Sequence, residues 1–133
     1  MHSFRLALAQ INPIVGDLQG NKKQILHYMD LARSNAADLV AFPEMAVTGY
    51  PAEDLLYKPS FIKENLDITR DIVRASKNIV SVVGFVDLGD NIHNAAAIAY
   101  EGNLIDIYHK IHLPNYGVFD EDRYFNAGNK NLI

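Results

Sequence analysis

Leu39–Phe42 is a short apolar run cut off by Pro43. Short continuous apolar runs mark strands buried on both faces. Proline cannot donate to a ladder, so Pro43 closes the strand. A single carboxylate, Glu44, follows at once. Small residues, a Gly49–Tyr50–Pro51 turn and the acidic pair Glu53–Asp54 come next. Upstream, Phe4–Ile11 is mostly apolar and reads as a central strand, and Asn12–Pro13 and Gly16–Asp17 carry turn chemistry. Ile25, Met29, Ala32 and Ala36, with Leu26 beside them, then recur at helical spacing, and Asn21 is placed to cap that helix. Strand, helix, strand implies a right-handed crossover and a parallel pair. Open α/β sheets bind ligands beyond the carboxyl ends of their strands. Glu44 therefore stands where a functional group is expected. Flanked by Phe42, Met45, Ala46 and Val47, it would be poorly solvated, a setting that suits a general base. The plainer alternative is a helix cap or a partner for a surface lysine.

Downstream, Pro59–Ser60 opens a second helix with Ser60 as N-cap, and Lys63 occupies the place where a capping box needs Glu or Gln. Ile62, Leu66, Thr69 and Val73 form its buried stripe, reinforced by Phe61, Ile68 and Ile72. Ile79–Val86 is β-branched and reads as a third buried strand. His93–Tyr100 and Asn103–Lys110 flank Glu101–Gly102, the pattern of an antiparallel hairpin. His112–Gly128 is a long loop rich in aromatics and charge, and Leu132–Ile133 reads as the start of a further strand.

Several function classes are disfavoured. The 133 residues suit one domain at most, and no internal repeat or domain boundary interrupts them. Lys plus Arg number 12 against 16 Asp plus Glu, a net charge of −4 without a clustered basic face. That argues against a general nucleic-acid or anionic-membrane binder. There is neither a transmembrane run nor a long apolar leader, so a cytoplasmic location is the default expectation. The chain has no cysteine, which rules out disulfides, thiolate metal sites and a cysteine nucleophile among these residues. It also has no GxGxxG and no GK[ST] loop to cradle phosphates.

Lys110 is the second candidate for chemistry. It follows the strand residues Ile105–Tyr108, and a lysine held at a strand end can stabilise a developing oxyanion. The alternative is a solvated strand-end lysine. His109 and His112 flank it without an evident third ligand, so no metal site is expected. Tyr116, Phe119, Tyr124 and Phe125, with Asp120, Glu121, Asp122 and Arg123, could line a pocket for a small polar ligand, or form a mini-core that tethers the loop.

Taken in order, RLALAQINPIVGDLQGN, DLVAFPEMAVTGYPAEDLL, VVGF and HNAAAIAYEGNLIDIYHKIHLPNYGVFDEDRYFNAG resemble the nitrilase superfamily of carbon-nitrogen hydrolases. Within it they are most similar to the amino-terminal glutamine amidase domain of glutamine-dependent NAD synthetases. LPNYGVFDEDRYF and TGYPAEDLL carry the specific part. The resemblance implies an α/β fold, the α-β-β-α sandwich of the nitrilase type, incomplete in this chain. It implies Glu44 and Lys110 as catalytic base and lysine, and Tyr50, Tyr116, Phe119 and Glu121 as glutamine-pocket residues, with Glu121 suited to the substrate's α-ammonium group.

One departure matters. The family's nucleophile is a cysteine, and there is none here. Residues 1–133 are therefore expected to be the N-terminal part of a glutaminase domain in a longer protein, with its synthetase domain absent and this segment alone inactive. The parent would make NAD from deamido-NAD, glutamine and ATP. It would use ATP and Mg2+ in the synthetase domain, and a homo-oligomeric assembly is expected. Two alternatives stand beside this: part of a stand-alone nitrilase-type amidase, or a non-catalytic truncated binding subunit.

Overall fold

A computed structural model of the chain describes residues 3–132. The chain runs β1 (Leu6–Leu8), α1 (Leu18–Ser34), β2 (Leu39–Ala41), α2 (Pro59–Ala75), β3 (Val80–Leu88), β4 (Ile92–Tyr100) and β5 (Asn103–His109). Among the described residues the strands form one five-stranded sheet in chain order. β1, β2 and β3 pair in parallel, and β3, β4 and β5 pair antiparallel. The strand–helix–strand start and the later hairpin are as expected. At the hairpin turn Glu101 and Gly102 both have positive φ, 51° and 78°, as a two-residue turn between twisted strands requires. No helix among the described residues is long and apolar enough to cross a membrane.

Both helices pack on one face of the sheet. Ile25 and Met29 from α1, Ile68 and Ile72 from α2, and Val40, Val83 and Phe85 from the strands are buried there. Ser76, at the end of α2, joins these layers: its hydroxyl lies 2.6 Å from that of Ser81 on β3 and 3.9 Å from Met29 Sδ.

Several local expectations are corrected. Phe4–Ile11 was expected to be a central strand, but β1 has three residues and lies at the sheet's edge. Leu6 and Leu8 are 51% and 69% exposed. Apolar composition does not tell an edge from a centre, because that depends on which strand pairs beside it. Asp17, not Asn21, caps α1, with its carboxylate accepting from the Gly20 amide at 2.9 Å. The helix ends at Ser34, so Ala36 falls in the turn that follows. Lys58, not Ser60, is the N-cap of α2, because Pro59 takes the first helical position, where its fixed φ and missing N–H fit best. The buried line of α2 runs through Phe61, Asn65, Ile68 and Ile72, leaving Leu66 and Val73 at its margin. Asn65 belongs there because its side chain bonds both backbone groups of Val86 on β3, at 2.6 and 3.2 Å. Leu132 is not in a strand, and Ile133 lies outside the described residues.

Candidate active site

Glu44 leaves β2 just after Pro43, and the residues behind it fold over the sheet face that the helices do not cover. Met45 through Gly49 are buried, and the Val47 amide donates to the Gly84 carbonyl at 3.1 Å. Gly84 makes this approach possible. A Cβ there would sit 2.4 Å from both Met45 N and the Pro43 carbonyl, closer than any side chain tolerates. Asn21 secures the loop from the other side. Its amide holds both backbone groups of Ile14 at 2.8 Å and donates to the Val47 carbonyl at 3.0 Å.

Lys110 is placed by backbone at the end of β5. Its amide donates to the Asn94 carbonyl and its own carbonyl accepts from the Gly128 amide, both at 2.8 Å. Its side chain reaches across the open face. Lys110 Nζ donates to Glu44 Oε1 at 2.6 Å and to Glu121 Oε1 at 3.1 Å. The Tyr50 hydroxyl donates to Glu121 Oε1 at 2.9 Å. Asn94 Nδ2 donates to Glu44 Oε1 at 2.5 Å and to Glu121 Oε2 at 3.4 Å. A cavity of about 190 Å³, lined by Pro43, Glu44, Gly84, Asn94 and Lys110 among others, opens beside this network.

The electrostatics follow from the contacts. Burial by itself would lower the Lys110 pKa; the hydrogen bonds and charges of Glu44 and Glu121 outweigh it and hold the lysine above its ordinary value, firmly cationic. Tyr50 is pushed well up, first by burial, then by its bond to Glu121 and the charges of Glu121 and Glu44, so it stays a neutral donor.

Of the six residues expected at the site, Glu44, Lys110, Glu121 and Tyr50 meet in one network. Phe119 packs against Tyr50, with ring centroids 6.4 Å apart. Tyr116 touches Phe119 edge-on at 5.7 Å and is otherwise 70% exposed. Two expectations change. Glu44 was expected to be poorly solvated, yet its side chain is 48% exposed; Lys110 and Asn94 orient it instead. Glu121 was expected to receive a substrate ammonium group. Its carboxylate is only 4% exposed and is turned to Lys110, Tyr50 and Asn94. His109 faces away from Lys110, bonding Asp87 at 2.7 Å and stacking on His93 at 4.0 Å.

Asn94 and Gly84 escaped the sequence reading, although both left signals. Asn is depleted in strands and needs a reason to sit buried inside one. An isolated Gly inside a strand points to a close backbone approach.

The model of the carbon-nitrogen hydrolase family matches residues 5–133. Over 135 aligned residues the chain is 40% identical to the glutamine-dependent NAD(+) synthetase of Thermotoga maritima, covering 100% of this chain and 23% of that protein. The chain thus spans about a quarter of the length of the curated relatives it matches. A solved glutamine-dependent NAD+ synthetase from Acinetobacter baumannii, in complex with ADP, matches with a TM-score of 0.92 at 40% identity, over 97% of this chain and 25% of that one. An amidase from Nesterenkonia sp. shares the fold, with a TM-score of 0.80 at 24% identity over 96% of this chain and 49% of the amidase. The family match over nearly every residue, carried by an architecture that brings Glu44 and Lys110 into contact, places this chain in the carbon-nitrogen hydrolase family.

Proposed function

We propose that the chain supplies the general base and the oxyanion-stabilising lysine of a glutamine-hydrolysing site. The observation that carries this reading is the Lys110 ammonium bridging Glu44 and Glu121 at 2.6 and 3.1 Å on the open sheet face. The similarity to glutamine-dependent NAD synthetases over the whole chain supports glutamine as the amide. The nucleophile is a cysteine outside these residues, which contain none.

In this reading Glu44 takes the thiol proton as the sulfur attacks the glutamine carboxamide, and Lys110 donates to the oxyanion of the tetrahedral intermediate. Glu44 returns the proton to the departing nitrogen, which leaves as ammonia with a thioester behind. It then deprotonates the water that releases glutamate. Tyr50, Phe119 and Tyr116 wall the glutamine pocket, and Glu121 holds the lysine. The rest of the parent protein uses the ammonia to convert deamido-NAD to NAD with ATP and Mg2+. This reading assigns ATP and Mg2+ to the synthetase part of the parent protein. The same reading places the parent in the cytoplasm as a homo-oligomer.

The test uses the full-length protein with Glu44→Gln. NAD formation from glutamine should fall by about 10²–10⁴-fold, the usual worth of a general base. NAD formation from added ammonia should persist. An unchanged glutamine rate removes Glu44 from the mechanism; wild-type protein that makes no NAD from either nitrogen source removes the synthetase reading.

A further inference from the structure

We propose that Asn94 is a positioning residue of this site, which ties Oε1 of Glu44 and Oε2 of Glu121 to β4 and so leaves Glu44 Oε2 as the oxygen that takes the proton. The inference rests on the amide-hydrolase reading for the meaning of that proton, but the geometry stands without it.

Asn94 is buried, with 3% of its surface exposed. Its side-chain nitrogen has two hydrogens and no lone pair to offer. One contact goes to Glu44 Oε1 at 2.5 Å and the other to Glu121 Oε2 at 3.4 Å. A donor-only group between two carboxylates gives each of them a hydrogen bond. It also separates them without adding charge. A cation here would bind the base too firmly, and a third carboxylate would repel both.

The consequence for Glu44 is asymmetric. Its Oε1 receives two donors, Lys110 at 2.6 Å and Asn94 at 2.5 Å. Its Oε2 has no hydrogen-bond partner among the described residues, so the more basic oxygen is the free one. Both oxygens of Glu121, by contrast, are engaged: Oε1 by Tyr50 and Lys110, Oε2 by Asn94. The two carboxylates therefore divide the work: Glu121 is fully occupied as an anchor, and Glu44 is half-occupied and free to accept. Asn94 acts twice in this arrangement, because its backbone carbonyl also accepts from the Lys110 backbone amide at 2.8 Å. One residue sets where the lysine leaves the sheet and which way the base faces. The charged and titratable groups facing Glu44 are Lys110 from the end of β5, and Glu121 and Tyr50 from the loops.

The experiment is Asn94→Ala and the near-isosteric Asn94→Asp in the full-length protein. Asn94→Ala should lower kcat for glutamine hydrolysis by about 10–100-fold, the loss typical of an outer-shell orienting partner, with KM nearly unchanged. The acid limb of the pH profile of kcat/KM should move to higher pH, because a donor to the ionised base is gone. In a Glu44→Gln background the same change should add no further loss. Asn94→Asp should lose more and move the limb further. The inference is overturned if Asn94→Ala only lowers Tm with the limb unmoved, or if its loss multiplies fully with that of Glu44→Gln. Should Asn94→Ala fail to fold, unaltered kinetics in Asn94→Asp overturn it instead. A second readout is independent of turnover: the carboxyl 13C signal of Glu44 across pH, assigned by its disappearance in Glu44→Gln. A titration unchanged by Asn94→Ala overturns the inference even if glutamine is hydrolysed. A moved titration in a protein that does not hydrolyse glutamine supports the inference and overturns the proposed function.

Discussion

On the helix-covered face of the sheet, the buried polar groups are neutral and closed on themselves. Ser76 meets Ser81, Thr69 donates to the Asn65 carbonyl at 2.8 Å, and Asn65 bonds the Val86 backbone. On the open face the polar groups include charges: two carboxylates share one ammonium, with Asn94 donating to both and Tyr50 to Glu121. The difference teaches what each face is for. Charge is costly to bury, so a surface sealed by helices keeps only uncharged groups whose hydrogen bonds are complete. A face with part of Glu44 in solvent can hold ions ready to react.

The comparison is broken most directly at Ile72, which is fully buried between α2 and the sheet. Ile72→Ala should cost about 2–5 kcal/mol in denaturant unfolding, from lost transfer energy and the cavity left behind. A cost well under that range would mean the covered face is not the core. Gly84→Ala probes the point where the reactive loop rests on the strand. The added methyl meets Met45 N and the Pro43 carbonyl, both backbone, at 2.4 Å. A loss of about 1–3 kcal/mol is expected, with displacement of Glu44 that lowers turnover beyond what the stability loss explains. Unaltered turnover would show that the loop position is not critical.

The smallest effect isolates the charges. Lys110 and Tyr50 both have folded pKa values above their ordinary 10.5 and 10.0. A group raised on folding contributes its stability in full below the unfolded pKa and loses it as pH climbs through the folded one. The cluster's contribution is therefore flat near neutrality and declines above about pH 10. Lys110→Met should flatten the alkaline fall of Tm, whereas Ile72→Ala should lower Tm without altering its pH slope. Equal alkaline slopes in wild type and Lys110→Met would remove the lysine from that balance.

How legible the site was depended on backbone punctuation. Pro43 ended a strand and put Glu44 at its tip, and the Glu101–Gly102 turn fixed the hairpin that ends in Lys110. Both signals are local, so composition and order alone revealed them. β1 was misplaced because Leu6 and Leu8 read as central, and pairing, not apolarity, puts β1 at the edge. Asn21 looked like a helix cap because its residue type suits one. Its actual bonds run to Ile14 and Val47, the latter 26 residues along the chain.

By itself the sequence determined the parallel strand–helix–strand start, the hairpin, the absence of a cysteine, and the placing of a carboxylate and a lysine each at the end of a strand. Each follows from short-range rules of backbone freedom, periodicity and residue inventory. Only the tertiary structure decided that Glu121 faces Lys110, that Gly84 admits the Glu44 loop, and that Asn94 stands between the two carboxylates. Those relations join residues 11 to 50 positions apart. Their energy comes from donors and acceptors meeting across strands, and no local pattern records which distant groups the sheet will bring face to face.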